Sequence, residues 1–112
     1  MYRPATNNTP EADFRLRDGK SMKLEGLSRT NNGEQFYQEL IDGTEKELGL
    51  KKILEDWIGD ERLTLDVRLK SISTPSQRGL RDLFNVIMEA NKKVKDTNKV
   101  DVYWHWMADD LG

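Results

Sequence analysis

The stretch RLTLDVRLKSISTPSQRGLRDLF (residues 62–84) decides the fold because its apolar residues change period along it. Between residues 62 and 70, apolar and polar residues alternate, which is typical of a β-strand with one buried face. Further on, the apolar residues recur at the spacing of one helical face. The stretch therefore predicts a strand, a junction rich in hydroxyl groups, and a helix that runs to about Lys95. The residues predicted to face inward are Leu63, Leu65, Val67 and Leu69 on the strand and Leu80, Leu83, Phe84, Ile87 and Met88 on the helix.

The junction between this strand and this helix carries chemistry that starts helices. Thr74 stands where an N-cap belongs, Pro75 at the first helical position and Gln77 at the third. In a capping box of this kind, the Thr74 hydroxyl accepts from free backbone N–H groups while Gln77 reaches back to the cap. The same N–H groups and the positive end of the helix dipole also favour a phosphate. A hydroxyl at this position is therefore suited to be a phosphorylation switch.

The first half of the chain predicts a hairpin and two helices. Asp18-Gly19 lies between two alternating runs, which is a strong hairpin signal. Asn31 with Glu34 three residues later predicts a capping box at the start of a helix that ends near Gly49. A second helix follows and stops at Gly59. The predicted inward residues are Phe14, Leu16, Met22 and Leu24 in the hairpin, Phe36, Tyr37, Leu40, Ile41, Thr44 and Leu48 in the first helix, and Leu50, Ile53, Leu54, Trp57 and Ile58 in the second.

Alternation returns near the end of the chain, in KVDVYWHWM (residues 99–107), and predicts a last strand. Two strands joined through a helix normally pair in parallel, so the predicted order is β-β-α-(α)-β-α-β. The sequence thus predicts an α/β fold in which a small mixed sheet of four to five strands packs with two to three helices. It predicts a single domain of residues 1–112, with residues 1–12 as an extended polar arm. On the last strand, Val100, Val102, Trp104 and Trp106 are expected to face inward, and Asp101, Tyr103 and His105 outward.

Composition narrows the possible functions. Lysine and arginine number 18 and aspartate and glutamate 20, giving a formal net charge of −2, whereas a nucleic-acid binder is usually clearly basic. The chain has no cysteine, which excludes disulfides, thiolate catalysis and cysteine-based zinc sites. It has neither an apolar segment of signal-peptide type nor one long enough to span a membrane. We therefore expect a cytoplasmic protein that binds neither nucleic acid nor membranes.

The sequence does not carry the motifs of common enzymes. It has no GxSxG around a serine and no glycine-rich phosphate loop. His105 with Asp109 and Asp110 is the one combination that suggests a metal or acid–base site, but it lacks a recognised ligand spacing. The large aromatic residues at helix and strand spacing are expected to be core rather than a ligand pocket. They are Phe36, Trp57, Phe84, Trp104 and Trp106. We therefore expect no catalysis, no metal and no cofactor.

Several local patterns together resemble a known family. They are ATNNTPEADF at the entry, LEGLS after the hairpin, GEQFY at the first helix, RLKSISTPSQRGLRDLF, and VDVYWHW followed by two aspartates. A small domain with a hydroxyl between a central strand and the next helix resembles the STAS fold of anti-sigma-factor antagonists. The listed patterns are more similar still to the SiaC-type regulatory phosphoproteins of bacteria. In this comparison Pro75 replaces a serine, and GLKKILEDWIGDE (residues 49–61) adds roughly one short helix.

The resemblance to SiaC-type proteins implies binding rather than catalysis. Such proteins are phosphorylated by a partner kinase, dephosphorylated by a partner phosphatase, and in the unphosphorylated form activate a diguanylate cyclase that promotes cyclic di-GMP signalling and biofilm formation. Thr74 matches the phosphorylated position, with Ser73 and Ser76 as alternatives. A second interpretation keeps the same switch residue and makes the partner an anti-sigma factor. The implied partner surface consists of Ser71, Ile72, Ser73, Thr74, Pro75, Ser76, Gln77 and Arg78.

Overall fold

A computed structural model describes residues 1–57, 61–95 and 98–105. Five strands form one mixed sheet in the order β1-β2-β3-β4-β5. β1 and β2 pair antiparallel, as do β2 and β3, whereas β3 and β4 pair in parallel and so do β4 and β5. The predicted α/β class and the predicted number of four to five strands are confirmed, and the predicted order lacks only the strand at the start of the chain. The elements are β1 (Tyr2–Arg3), β2 (Glu11–Asp13), β3 (Ser21–Leu27), α1 (Gly33–Asp42), α2 (Leu50–Trp57), β4 (Thr64–Lys70), α3 (Thr74–Asn91) and β5 (Asp101–Trp104).

β4 lies between two parallel neighbours, and its alternating sequence matches that position. Leu65 and Val67 are fully buried, while Arg68 and Lys70 are exposed. The helices cover the apolar face of the sheet, where side chains from β3 and β4 meet those of α1 and α3 in one core. The opposite face carries the charged side chains of the same strands and is open to water, as expected for a sheet covered on one side. All four inward residues predicted for β4, Leu63, Leu65, Val67 and Leu69, are buried.

The N-terminal segment is part of the sheet, not only an arm that leads into it. Met1 is 7% exposed, and its carbonyl oxygen accepts from the N–H of Phe14 at 2.8 Å. The hydroxyl of Tyr2 donates to Glu11 at 3.0 Å, and Arg3 pairs with Glu47 beyond the end of α1. A two-residue strand such as β1 is too short to show periodicity, so the sequence pattern does not predict it.

The hairpin predicted at Asp18-Gly19 is confirmed, with a shorter first strand than predicted. A carboxylate oxygen of Asp18 accepts from the N–H groups of Lys20 and Ser21, and Gly19 has a φ of 82°. β2 already ends at Asp13, and Leu16 has a φ of 53° within the loop. The predicted turn is therefore confirmed, whereas the alternation of apolar and polar residues through Leu16 does not correspond to a longer strand.

α1 is shorter than predicted at both ends. Asn32 occupies the N-cap position without a side-chain capping bond, so the predicted capping box of Asn31 and Glu34 is wrong. The helix stops at Gly43, whose φ of 80° is a left-handed conformation that suits glycine. Thr44 then begins a turn that leads back to a bridge between Gly43 and Leu48. Thr44 and the exposed Leu48 are consequently not on the helical face where they were expected.

The two later helices match their predicted faces over most of their length. α2 covers residues 50–57, and its predicted end at Ile58 and Gly59 lies outside the described residues. On α3, Leu80, Leu83 and Ile87 are buried, but Met88 is 58% exposed and the helix ends at Asn91, before Lys95. The spacing of apolar residues shows which face of a helix is apolar. A residue on that face is buried only where another element packs against it.

β5 shows the same distinction at the edge of the sheet. It pairs with β4 in the predicted parallel arrangement. Val100 is buried as predicted, but Val102 and Trp104 are 38% and 41% exposed, so their predicted burial is wrong. The Trp104 ring meets Phe84 edge-on at 6.0 Å between centroids, which covers one side of it. An edge strand lacks the second neighbour that would complete burial; Trp106 lies outside the described residues.

α1 and α3 pack closely against each other near the starts of both helices. Gly79 of α3 lies directly against the Gly33 carbonyl and the Tyr37 ring. A Cβ atom at Gly79 would lie 2.8 Å from both the Gly33 oxygen and the Tyr37 Cβ, closer than real contacts allow. Glycine is thus needed here for space, and the contact brings the two helix N-termini together.

We expect Gly79→Ala to destabilise the protein by about 1–3 kcal/mol, because the added methyl group must push α1 and α3 apart. Urea unfolding followed by circular dichroism measures this change. Asp82→Ala is the control, since Asp82 is exposed on the same helix. Equal stability of Gly79→Ala and Asp82→Ala would contradict this packing.

Candidate functional site

The site lies where the parallel strands β3 and β4 end side by side. Leu27 and Lys70 are paired at the carboxyl ends of the two strands, and each strand then turns into a helix. The two turns are joined through their backbones: the N–H of Ser28 donates to the Lys70 oxygen at 3.1 Å, and the N–H of Ser73 donates to the Ser28 oxygen at 2.8 Å. The N-termini of α1 and α3 are therefore held next to each other at one edge of the sheet.

Ser73, not Thr74, caps α3. Its side-chain oxygen accepts from the Ser76 N–H at 3.3 Å, which places Thr74 and Pro75 in the first turn of the helix. The predicted cap is thus displaced by one residue, and the predicted capping box with Gln77 is wrong. The reason lies in the neighbouring turn: the Ser73 hydroxyl also donates to the Thr30 carbonyl at 2.8 Å, a contact that no local pattern reveals.

The three predicted hydroxyl candidates occupy different environments. Ser76 is fully buried, and its oxygen lies 3.0 Å from that of Ser73. Gly33 packs against the Ser76 backbone so closely that a side chain there would collide with it. Ser73 is half-buried and occupied by its contacts with Thr30 and Ser76. Thr74 is exposed. A macromolecular partner or enzyme therefore has direct access to the hydroxyl of Thr74 but not to that of Ser76.

The other residues of the predicted partner surface divide in a similar way. Ser71, Gln77 and Arg78 are exposed, whereas Ile72 and Pro75 are half-buried. Ser71 has a φ of 50°, a left-handed conformation that turns the chain from β4 towards α3. Because Ser76 is buried, its side chain is not part of this surface.

A buried pair of hydroxyl groups joins the turn after β3 to α1. Ser28 and Tyr37 are both fully buried, and their oxygens are 2.8 Å apart. Burial raises the pKa of Tyr37 to about 12, while the Ser28 hydroxyl lowers it in part, so the phenol stays neutral at physiological pH. Ser28 and Thr30 were not predicted as residues of the site. Their signal was the SRT after β3, which repeats the hydroxyl-rich turn found after β4.

One ion pair crosses from α1 to α3 at the surface of the site. Arg78 Nη1 lies 3.2 Å from Glu34 Oε1, and the two side chains are 63% and 58% exposed. Arg78 is four residues after Thr74, so it projects from the same face of α3 one turn further on. The exposed hydroxyl of Thr74 and this ion pair therefore belong to one continuous surface.

The alternative site at His105 is only partly described. His105 Nε2 lies 3.3 Å from Asp66 Oδ1 on the open face of the sheet. Asp109 and Asp110 fall outside the described residues. Among residues 1–57, 61–95 and 98–105, no group of three or more histidines and carboxylates could hold a metal ion.

Of the aromatic residues predicted as core, Phe36, Trp57 and Phe84 lie at its margin and pack against the buried cluster. Phe36, Trp57 and Phe84 are half-buried, while the fully buried rings are those of Phe14 and Tyr37. A groove of about 530 Å³ between α2 and α3 is lined by apolar residues, among them Trp57 and Val86, and by charged residues, among them Lys51 and Glu89; none of residues 71–78 lines it. Within the described part of the chain, no helix combines the length and apolar character that crossing a membrane requires.

Comparison with known proteins identifies the family. The model of the SiaC family of regulatory phosphoproteins matches residues 3–111. The chain belongs to this family. SiaC proteins of known structure share its fold: apo-SiaC from Pseudomonas aeruginosa is 22% identical with a TM-score of 0.70, and the match covers 96% of this chain and 78% of that chain. No curated protein matches the chain.

A second similar structure contains a partner. It is the diguanylate cyclase SiaD of Pseudomonas aeruginosa in complex with its activator SiaC, and it matches with 23% identity and a TM-score of 0.67. The match covers 94% of this chain and 76% of that chain. The SiaC fold therefore occurs both alone and bound to a cyclase.

We expect Ser73→Ala to destabilise the protein by about 1–2 kcal/mol, because it removes the cap of α3 and the bond to Thr30. Thr74→Ala is the matched control, since it removes an exposed hydroxyl from the next residue. Urea unfolding measures both. A larger loss for Thr74→Ala than for Ser73→Ala would mean that Thr74 is the cap after all.

Proposed function

We propose that this protein is a non-enzymatic regulator whose unphosphorylated form binds and activates a diguanylate cyclase, and that phosphorylation of Thr74 ends this binding. One observation carries the choice of residue: of the three hydroxyl groups predicted as acceptors, that of Thr74 is exposed, whereas Ser73 is engaged as a cap and Ser76 is buried. The SiaC of Pseudomonas aeruginosa, which has the same fold, is an activator of the cyclase SiaD.

The position of Thr74 favours the phosphorylated state chemically. Thr74 is the first residue of an 18-residue helix, in whose first turn the N–H groups of Ser76 and Gln77 donate to Ser73 and Pro75 has no N–H. The positive end of the helix dipole stabilises negative charge at this end of the helix. A phosphate adds a charge of about −1.5 to −2 and three strong acceptor oxygens. The phosphate is therefore compatible with the helix on which it is placed.

The same charge explains how phosphorylation would end binding. In this proposal the partner contacts the exposed residues of the junction, among them Ser71, Thr74, Gln77 and Arg78. A phosphate in the middle of such a surface must lose its water when the partner docks, and an acidic group opposite repels it. A kinase and a phosphatase of the host would set the fraction of active protein. The cytoplasmic location expected from the sequence stays a prediction.

The first test maps the modified residue. The protein is incubated with the host's SiaC-directed kinase and ATP, digested, and sequenced by mass spectrometry. We expect phosphate on Thr74, and Thr74→Ala should abolish it while Ser73→Ala leaves it in place. Phosphate on Ser73 or Ser76, or none on the junction, would overturn the assignment of Thr74.

The second test separates the effect of charge from the loss of the hydroxyl. Binding to the host's diguanylate cyclase is measured by titration calorimetry, and activation by the rate of cyclic di-GMP formation. We expect Thr74→Glu to weaken binding about tenfold or more, and Thr74→Ala by less than about threefold, because charge rather than the hydroxyl opposes docking. Equal effects of the two variants would contradict the charge switch. Capture of an anti-sigma factor instead of a cyclase in a pulldown would identify the anti-sigma factor as the partner and leave Thr74 as the proposed switch residue.

A further inference from the structure

We propose that Arg78 is the residue that receives the phosphate of Thr74, and that it does so by leaving Glu34 of α1. The inference rests on the proposed phosphorylation of Thr74 and adds a mechanism to it. In the unphosphorylated protein, the Arg78–Glu34 pair connects the first turn of α1 to the second turn of α3. In the phosphorylated protein, the guanidinium group turns to the phosphate, and Glu34 loses its partner.

The geometry of the helix places Arg78 within reach of Thr74. Residues four apart on a helix have Cβ atoms about 5–6 Å apart, and Arg78 is the fourth residue after Thr74. Both side chains are exposed, so no packing has to be broken when Arg78 changes its partner. The guanidinium group also matches the phosphate oxygens in a bidentate arrangement.

The existing ion pair is weak enough to be exchanged. It joins two exposed side chains, and pairs of this kind contribute little to stability because water and salt screen them. A phosphothreonine carries a charge of about −1.5 to −2, so it attracts the same arginine more strongly than a single carboxylate does. The phosphate also belongs to the same helix as Arg78, whereas Glu34 belongs to another. The exchange therefore favours the phosphate.

The exchange also changes the charge of the surface around Glu34. The hydrogen bonds of Ser73 to Ser28 and Thr30 hold the start of α3 against the turn before α1, and Gly33 packs against the Ser76 backbone. Glu34 consequently stays on the surface beside a phosphate that repels it. A neutral pair is thus replaced by a phosphate–arginine pair and a free carboxylate, and this surface becomes negative without a change of fold.

The test measures the second ionisation of the phosphate. Phosphothreonine is incorporated at position 74 during synthesis by an expanded genetic code, so the result does not depend on the host kinase. The pKa of the phosphate is then determined by phosphorus NMR in four proteins: the unaltered sequence, Arg78→Gln, Glu34→Gln and Arg81→Gln. Arg81→Gln is the matched control, because Arg81 is exposed on the same helix about two turns from Thr74.

We expect Arg78→Gln to raise the phosphate pKa by about 0.5 pH unit or more, because a nearby cation favours the dianion. Glu34→Gln should lower it, since Arg78 is then free and a like charge has gone. Arg81→Gln should shift it by less than half as much as Arg78→Gln. Equal shifts for the two arginines, or no shift for Arg78→Gln, would overturn the exchange. Failure of the host kinase to modify Thr74 would instead overturn the proposed function and leave this result standing.

Discussion

The hydrogen bonds that join the two strand-to-helix turns are the constraint on which the site depends. Ser73 contributes most of them: its N–H donates to Ser28, its hydroxyl donates to Thr30, and its oxygen caps α3. A cap that also bonds to a second turn holds the start of one helix against the start of another. The site is therefore rigid for reasons that do not involve the exposed threonine.

This arrangement separates two tasks that hydroxyl groups at a helix start can perform. The cap and the buried contacts belong to Ser73 and Ser76, whose loss would affect the helix itself. Thr74 is in the first turn and exposed, so a modification there need not remove a structural bond. A position that serves as a switch benefits from this separation, because both forms of the protein must stay folded. The close contact of Gly79 with α1 likewise does not involve Thr74, so a modification of Thr74 need not disturb it.

The sequence predicted the elements with strong periodicity and failed where contacts from elsewhere decide. β4, α2 and α3 follow from their apolar spacing, and the Asp18-Gly19 turn follows from its residue types. The predicted cap was displaced by one residue because serine and threonine are both favoured N-cap residues, and Ser73 is the one whose hydroxyl also bonds the Thr30 carbonyl in the fold. β1 was missed because two residues carry no period.

The burial of individual side chains was the least predictable feature. Alternation in β5 gave the correct faces but not the exposure of Val102 and Trp104, which depends on an edge position and on how far α3 extends over it. For the site, the sequence brought the three hydroxyl candidates together, and only the structure distinguished Thr74 from Ser76. Local patterns give direction, whereas accessibility is a property of the complete packing.

In the proposed mechanism, phosphorylation of Thr74 changes the charge of a surface and leaves the fold beneath it unaltered. Amide hydrogen exchange of the protein with phosphothreonine at position 74, compared with the unmodified protein, tests it most directly. The account predicts equal protection in the middle of α1, α3 and β4, with changes confined to the turns around residues 28–34 and 71–78. A loss of protection throughout α1 or α3 would show that the switch acts by unfolding a helix, and would contradict the account.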